Sequence, residues 1–303
     1  MIERAPDAVV DLGTNTFHGL VAHWDGEQLV ERARERHYVR LASDGIERIG
    51  DAPATRAVLA AEAIGRLLLG EAPRRVRVFG TEALRLASNG PELRARLREA
   101  LGHPIEVITG QREAQLIALG IEAAGLPARP RDLIVDIGGG STEFIVREGG
   151  RVVFAESYRL GAQILRHRWH VDEPFGKTQE AALFGHLGEV LAPLAERLTG
   201  RPYRLVGASG TFDVLAEVCG TPEGIAAHRL DVAAVRALYA EAREMDPAQR
   251  LADPRIPDER ADMLAVALAL IDYLLTRLPP EELYACRYAL KEGALLELAR
   301  GGG

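Results

Sequence analysis

The segment VVDLGTNTFHGLVAHWDGEQLV near the start of the chain returns in altered form as IVDIGGGSTEFIVREGGRVVF, with Asp136 standing 125 residues after Asp11. Each copy reads as a strand ending in an aspartate, a glycine-bearing turn, a second strand, another turn and a third strand. A repeat this long is not a solenoid unit, whose period is shorter. It points to two related α/β halves, each opening on a β-hairpin whose turn can meet an anion. Strands are predicted at 8–12, 17–23, 29–36, 75–79 and 105–108, then at 133–137, 143–147, 151–157, 204–207 and 282–286. Helical periodicity predicts 54–69, 91–101, 112–124, 178–198, 232–243 and 259–278 between them, an α/β alternation. The proline and glycine of GLPARPR, residues 125–131, mark a linker. The expected lobes are therefore 1–124 and 125–303, with the C-terminal helix able to pack back on the first. A chain of 303 residues with 47% hydrophobic content can bury two such cores.

The formal net charge of −7 argues against a nucleic-acid binder with a broad basic surface, yet a local basic pocket can still meet a phosphorylated ligand. Two cysteines, Cys219 and Cys286, are far apart and lack metal-type spacing, so a reducing compartment is expected. The opening MIERAPDAVVDLG lacks the apolar core of a signal peptide, and no run approaches a membrane span. The expectation is a cytoplasmic protein without a membrane partner.

In Asp11-Leu12-Gly13-Thr14-Asn15, Gly13 allows close backbone approach, and the following N–H groups can cradle an anion with the Thr14 hydroxyl and the Asn15 amide. Asp11 suits a metal, or a water held between itself and a phosphate. The competing reading is a hairpin turn whose Asp and Asn serve turn geometry alone. In the second turn, Gly138, Gly139 and Gly140 expose successive backbone donors and Ser141 adds a hydroxyl. Asp136 and Glu143 flank that turn, so two carboxylates can share a divalent ion. It is neither a P-loop, which needs Gly-Lys-Ser/Thr, nor a dinucleotide fingerprint, which needs a helix next. Two such cradles predict a cleft between lobes. A third segment, Gly207-Ala208-Ser209-Gly210-Thr211, follows a strand and opens a helix. It reads as an anion site at a helix N-terminus or as an ordinary N-cap at Ser209 or Thr211.

Taken in order, DLGTNTFH, GTEALRLASN, EVITGQREAQLIALG, VDIGGGSTE, RLG, GASGT, ERAD and LKEG resemble the exopolyphosphatase / guanosine pentaphosphate phosphohydrolase family through most of the chain. The resemblance implies a duplicated actin-like, ribonuclease H-like fold, Mg²⁺ as cofactor, and a homodimer. In that family the catalytic carboxylate precedes the alanine of a segment like ITGQREAQLI, which is Glu113 here. It would act as the general base that deprotonates the attacking water. Read without the resemblance, Glu113 is a first-turn helix acid favoured by the macrodipole. The family commonly carries more acid where Gln111 and Arg112 stand, which leaves Glu113 as the only acidic candidate in that segment. Arg85 matches an arginine that grips substrate phosphate. Asp11, Asp136 and Glu143 match carboxylates that hold Mg²⁺ or position substrate. His18 matches a position often histidine in the family and equally fits a packed strand histidine, and the cluster Arg159, Arg166, His167 and Arg168 fits a solvated helix face as readily as a polyanion track.

The reaction implied is removal of the terminal phosphate from inorganic polyphosphate; guanosine pentaphosphate is the alternative substrate. Motifs do not separate the two, and the chain resembles the short, two-domain form. Two further readings are an actin-fold kinase or ATPase, which would need an adenosine pocket near Gly207, and a sensor that binds without turnover. Glu113 speaks against both.

Overall fold

The computed structural model describes residues 5–169 and 174–301, and the chain divides into two compact units. The first comprises Met1–Ala124, Gly138–Gly140 and Tyr288–Gly303; the second comprises Gly125–Ile137 and Ser141–Arg287. The first unit runs β1 (Asp7–Leu12), β2 (Thr16–Trp24), β3 (Leu29–Tyr38), α1 (Asp51–Glu71), β4 (Val76–Gly80), α2 (Glu82–Leu86), α3 (Gly90–Leu101), β5 (Glu106–Val107) and α4 (Gly110–Ala123). The second opens with β6 (Arg131–Ile137), β7 (Thr142–Glu148), β8 (Arg151–Tyr158), α5 (Ala162–Trp169), α6 (Lys177–Val190), α7 (Ala192–Leu198), β9 (Arg204–Ala208) and α8 (Gly210–Cys219). It continues through β10 (Gly220–Glu223), β11 (Ala227–Leu230), α9 (Val232–Glu244), α10 (Pro247–Ala252), α11 (Leu264–Arg277) and β12 (Glu282–Cys286). The last helix, α12 (Leu290–Ala299), lies in the first unit.

The first sheet has the order β3-β2-β1-β4-β5, with an antiparallel β1–β2–β3 meander and β4 and β5 added in parallel. The second sheet, β10-β11-β12-β9-β6-β7-β8, repeats that plan: β6–β7–β8 is antiparallel, and β9 and β12 follow in parallel. β11 and β10 extend its edge antiparallel. This is the duplicated actin-like, ribonuclease H-like fold. The registers align the copies residue by residue. Asp11 pairs with His18 and with Phe79, and Asp136 pairs with Glu143 and with Ala208. The β4–α2 connection is therefore the counterpart of the β9–α8 connection.

Each aspartate ends a central strand whose apolar residues are inaccessible. Ala8, Val9 and Val10 are buried in β1, and every residue of β6 is buried. Such strands read as near-continuous apolar runs because both faces are covered. Helix α11 is buried nearly all round, as a helix at the centre of the second unit's core must be. No helix among the described residues is long and apolar enough to cross a membrane.

Three predicted elements differ from expectation, and β10 and β11 were not expected. The single helix predicted at 178–198 is two, α6 and α7, because Pro193 lacks the N–H that would continue the ladder across Leu191. The helix predicted from 259 begins at Leu264. Residues 257–263 instead form i→i−3 turns, with the Arg260 N–H donating to Pro257 O at 2.8 Å and the Met263 N–H to Arg260 O at 3.0 Å. β5 is two residues long where four were predicted.

Candidate functional site

The hairpin turn after β1 is closed by the Gly13 N–H donating to Thr16 O at 3.1 Å. Its outer side is tied to the chain after β3: the Leu41 N–H donates to Thr14 O at 2.7 Å, and the Val39 and Arg40 N–H groups donate to Asn15 O at 2.9 and 3.0 Å. The Thr14 hydroxyl accepts from the Ala83 N–H at 3.3 Å, which pins the start of α2 to the turn. Asn15 is buried, and neither its amide oxygen nor its amide nitrogen has a hydrogen-bond partner among the described residues. A buried amide left with four unused hydrogen-bonding sites is costly unless a ligand or water engages it.

Gly138–Gly140, the turn of the second copy, is part of the same unit. A Cβ on Gly139 would stand 2.8 Å from Asn15 Cβ, and one on Gly140 would stand 2.7 Å from Thr14 Oγ1 and 3.0 Å from Glu82 Cγ. Real Cβ atoms do not come so close to such neighbours. The missing side chains at 139 and 140 are therefore required by the packing of this turn on the first, before any ligand is considered.

Arg85 and Glu113 meet in this unit. Arg85, on the one-and-a-half-turn helix α2, donates from Nη1 to Ile108 O at 2.6 Å and from Nη2 to the Glu82 carboxylate. Its Nη1 lies 3.8 Å from Glu113 Oε2. Glu113 is in the first turn of α4, whose N-cap Thr109 accepts from the Arg112 N–H at 3.2 Å. The helix dipole at that end favours its negative charge. Both carboxylates are buried and the guanidinium is partly exposed, at 23%.

Asp11 Oδ1 is buried and has no hydrogen-bond partner among the described residues. Burial pushes the Asp11 carboxyl up to about 6; the nearby Lys291 ammonium opposes that shift and the Glu292 carboxylate adds to it. Glu292, at the start of α12, is itself fully buried. Burial works against its charge, but Lys291, Arg34 and the Ala289 N–H hold its carboxyl below the usual range. The Ala289 N–H donates to Glu292 Oε2 at 2.9 Å, and Arg34 Nη2 donates to Glu292 Oε1 at 3.1 Å.

In the second unit, Asp136 and Glu143 sit directly opposite on β6 and β7, so their side chains share a face. Glu143 Oε1 accepts from the Ser157 hydroxyl at 2.6 Å. Ser141 is buried. Ser209 has φ 74° and ψ 175°, a region nearly reserved for glycine, and its hydroxyl donates to Ile137 O at 3.0 Å. Strain of this kind costs on the order of 1–3 kcal/mol and gathers at functional sites. Gly207 lies against the Phe212 ring, and Gly210 lies under the Arg260 guanidinium at the start of α8, followed by buried Thr211.

Among the described residues no three His, Cys, Asp or Glu side chains are grouped so as to hold a metal ion. Mg²⁺ is usually held through one or two carboxylates, its shell completed by waters and substrate phosphate. The partnerless Asp11 oxygen is a hard donor of the type such an ion takes. Sequence reasoning missed Glu82, Lys291 and Glu292. Each lies within a matched motif, GTEALR or LKEG, but nothing in a one-dimensional pattern marks a charged residue as buried.

The model of the Ppx/GppA phosphatase family matches residues 21–300. Among solved structures, an exopolyphosphatase from Cytophaga hutchinsonii is 31% identical with a TM-score of 0.92, the alignment covering 98% of this chain and 99% of that one. A PPX-GPPA enzyme from Aquifex aeolicus superposes with a TM-score of 0.78 at 21% identity, over 97% of this chain and 99% of that one. At that identity the likeness is one of fold.

Proposed function

Because the chain belongs to the Ppx/GppA phosphatase family, we propose that it is an exopolyphosphatase that removes the terminal phosphate of inorganic polyphosphate by Mg²⁺-assisted attack of water. The observation that carries this reading is the pairing of Arg85 with Glu113 at the head of α4, in the unit that also holds the partnerless amide of Asn15. An arginine beside a buried carboxylate supplies the two things phosphoryl transfer asks of a protein, charge neutralisation and an oriented nucleophile.

Glu113 accepts a proton from the water as its oxygen bonds to the terminal phosphorus and the bridging P–O bond breaks. The free N–H groups of Arg85 bind the non-bridging oxygens, whose charge spreads in the transition state. The Asn15 amide and the Thr14 hydroxyl, with the backbone of Gly138–Gly140, orient the phosphate, whereas the Gly13 N–H is taken by Thr16 O; Ser141, Gly207, Ser209, Gly210 and Thr211 are the corresponding residues of the second unit. Asp11 in the first unit, and Asp136 with Glu143 in the second, are carboxylates of the kind that would hold Mg²⁺, which offsets phosphate charge when bound.

Phosphate release measured in parallel on polyphosphate, guanosine pentaphosphate and ATP, with Mg²⁺ and with excess chelator, tests this. The expected result is Mg²⁺-dependent release, greatest with polyphosphate. Preference for guanosine pentaphosphate would reassign the substrate, and preference for ATP would sink the exopolyphosphatase reading in favour of an actin-fold ATPase.

A further inference from the structure

We infer that Glu82 is a positioning residue that locks the Arg85 guanidinium in the orientation in which it meets phosphate. This rests on the role proposed for Arg85 above and adds a residue to it. The two residues are three apart on α2, and Glu82 is buried while it bonds Arg85 Nη2. The Ile108 carbonyl takes Nη1 on the other side at 2.6 Å, and Glu113 Oε2 is only 3.8 Å from that same nitrogen. Arg85 is thus held between two carboxylates, one of them the proposed general base.

Glu82 itself has little freedom. The absent side chain of Gly140 leaves room for its Cγ, since a Cβ there would stand 3.0 Å away. The backbone next to it is anchored where the Ala83 N–H meets Thr14 Oγ1. A carboxylate fixed in this way does two things for its neighbour. It removes rotamer freedom that a long side chain otherwise loses when substrate binds. It also offers Nη2 a stronger acceptor than a neutral group would, so the guanidinium does not swing onto Glu113 and occupy the carboxylate that must face water.

The contact of Arg85 with phosphate exists before and during the reaction, so loosening it acts mainly on KM. The test is steady-state phosphate release from polyphosphate by wild type, Glu82→Ala, Glu82→Asp, Glu82→Gln, Arg85→Ala and the double Glu82→Ala/Arg85→Ala variant, each checked for a wild-type melting profile. Glu82→Ala is expected to raise KM roughly tenfold, the low end of what a charge-assisted hydrogen bond contributes, with a smaller fall in kcat. Glu82→Asp, charged but one methylene short, should resemble it, whereas Glu82→Gln, which keeps the reach and an acceptor oxygen, should stay within about threefold of wild type. Glu82→Asp decides the matter if the alanine variant does not fold. In the Arg85→Ala background the loss of Glu82 should add nothing. Equal penalties with and without Arg85, or an unchanged KM in Glu82→Ala and Glu82→Asp, would overturn the inference while leaving the proposed function standing. Unimpaired turnover by Arg85→Ala would remove Arg85 from the mechanism and the inference with it, leaving the reaction standing, whereas no phosphate release by wild type would refute the proposed function itself.

Discussion

Gly293→Ala, a change that adds a single methyl group, is expected to destabilise this protein although alanine is the better helix former. Gly293 on α12 faces α4 so closely that an added Cβ would stand 1.8 Å from Leu116 O and 2.7 Å from the Gly120 N. The approach is reciprocal, since a Cβ on Gly120 would stand 2.0 Å from Ala289 O. Carbon does not sit nearer than about 3 Å to a backbone oxygen, so the helices must separate by about 1.2 Å in a close-packed interior. Overpacking typically costs about 1–3 kcal/mol, and a clash with rigid backbone belongs at the upper end. Replacing a helical glycine returns about 1 kcal/mol of propensity. The net loss is about 2 kcal/mol, or roughly 4–8 °C in melting temperature for a domain of this size. Gly185→Ala is the control: Gly185 is an exposed residue of α6 with nothing within 4 Å of an added Cβ, and that variant should be up to about 1 kcal/mol more stable. Thermal denaturation followed by circular dichroism reads both. A Gly293→Ala protein melting at or above wild type would refute the close-contact reasoning, most clearly if Gly185→Ala rose as expected.

Glu113→Gln should leave KM for polyphosphate within a few-fold of wild type and lower kcat on the order of 10²–10⁴, the range of a lost general base; wild-type turnover would remove Glu113 from the mechanism. Asp11→Asn should stabilise the protein at neutral pH. The folded carboxyl is raised from 3.8 to about 6, so wild type loses stability as pH rises through that window and the variant does not. Melting in the presence of chelator should therefore show an advantage for Asp11→Asn that grows between about pH 4 and 6 and then levels off, and a gap constant with pH would show that Asp11 is not held protonated by burial. Excess chelator should abolish phosphate release, with added Mg²⁺ restoring it, and full activity in chelator would eliminate the metal.

The hairpins were legible because each repeats one pattern, an apolar run closed by aspartate and glycine, and such strands have few alternatives. The glycines at 139 and 140 were legible as special positions but not for the right neighbour: their immediate cause is the packing of one turn on Thr14 and Asn15. Pro193 carried a local signal for the break between α6 and α7, whereas the short strands β10 and β11, GTPE and AHRL, have no alternation to read. Glu113 was found through a motif; its spacing alone describes any acidic first turn. Glu82, Lys291 and Glu292 were invisible for a physical reason. Charged residues at helix starts are ordinarily solvated, and only the folded chain shows that these three lie among other charges out of water. The same holds for Ser209, since no local composition announces a serine held at φ 74°.

The charges of the first unit bear on what the site needs in order to work. Among them, Glu82 and Glu113 flank Arg85, and Asp11 and Glu292 stand with Lys291 and Arg34. Arg34 is engaged by Glu292 and Arg85 by Glu82, and Lys291 lies between Asp11 and Glu292, so little positive charge is left uncommitted. A polyphosphate end brings two or more further negative charges to this place. Repulsion between like charges in a partly desolvated site costs several kcal/mol, more than one arginine's spare donors recover. A divalent cation entering with the substrate resolves the imbalance without a basic surface. On this argument the metal is a condition of substrate binding as well as of turnover. Polyphosphate affinity should therefore fall with Mg²⁺ removal even in Glu113→Gln, where no chemistry proceeds, and metal-independent binding by that variant would contradict the charge argument.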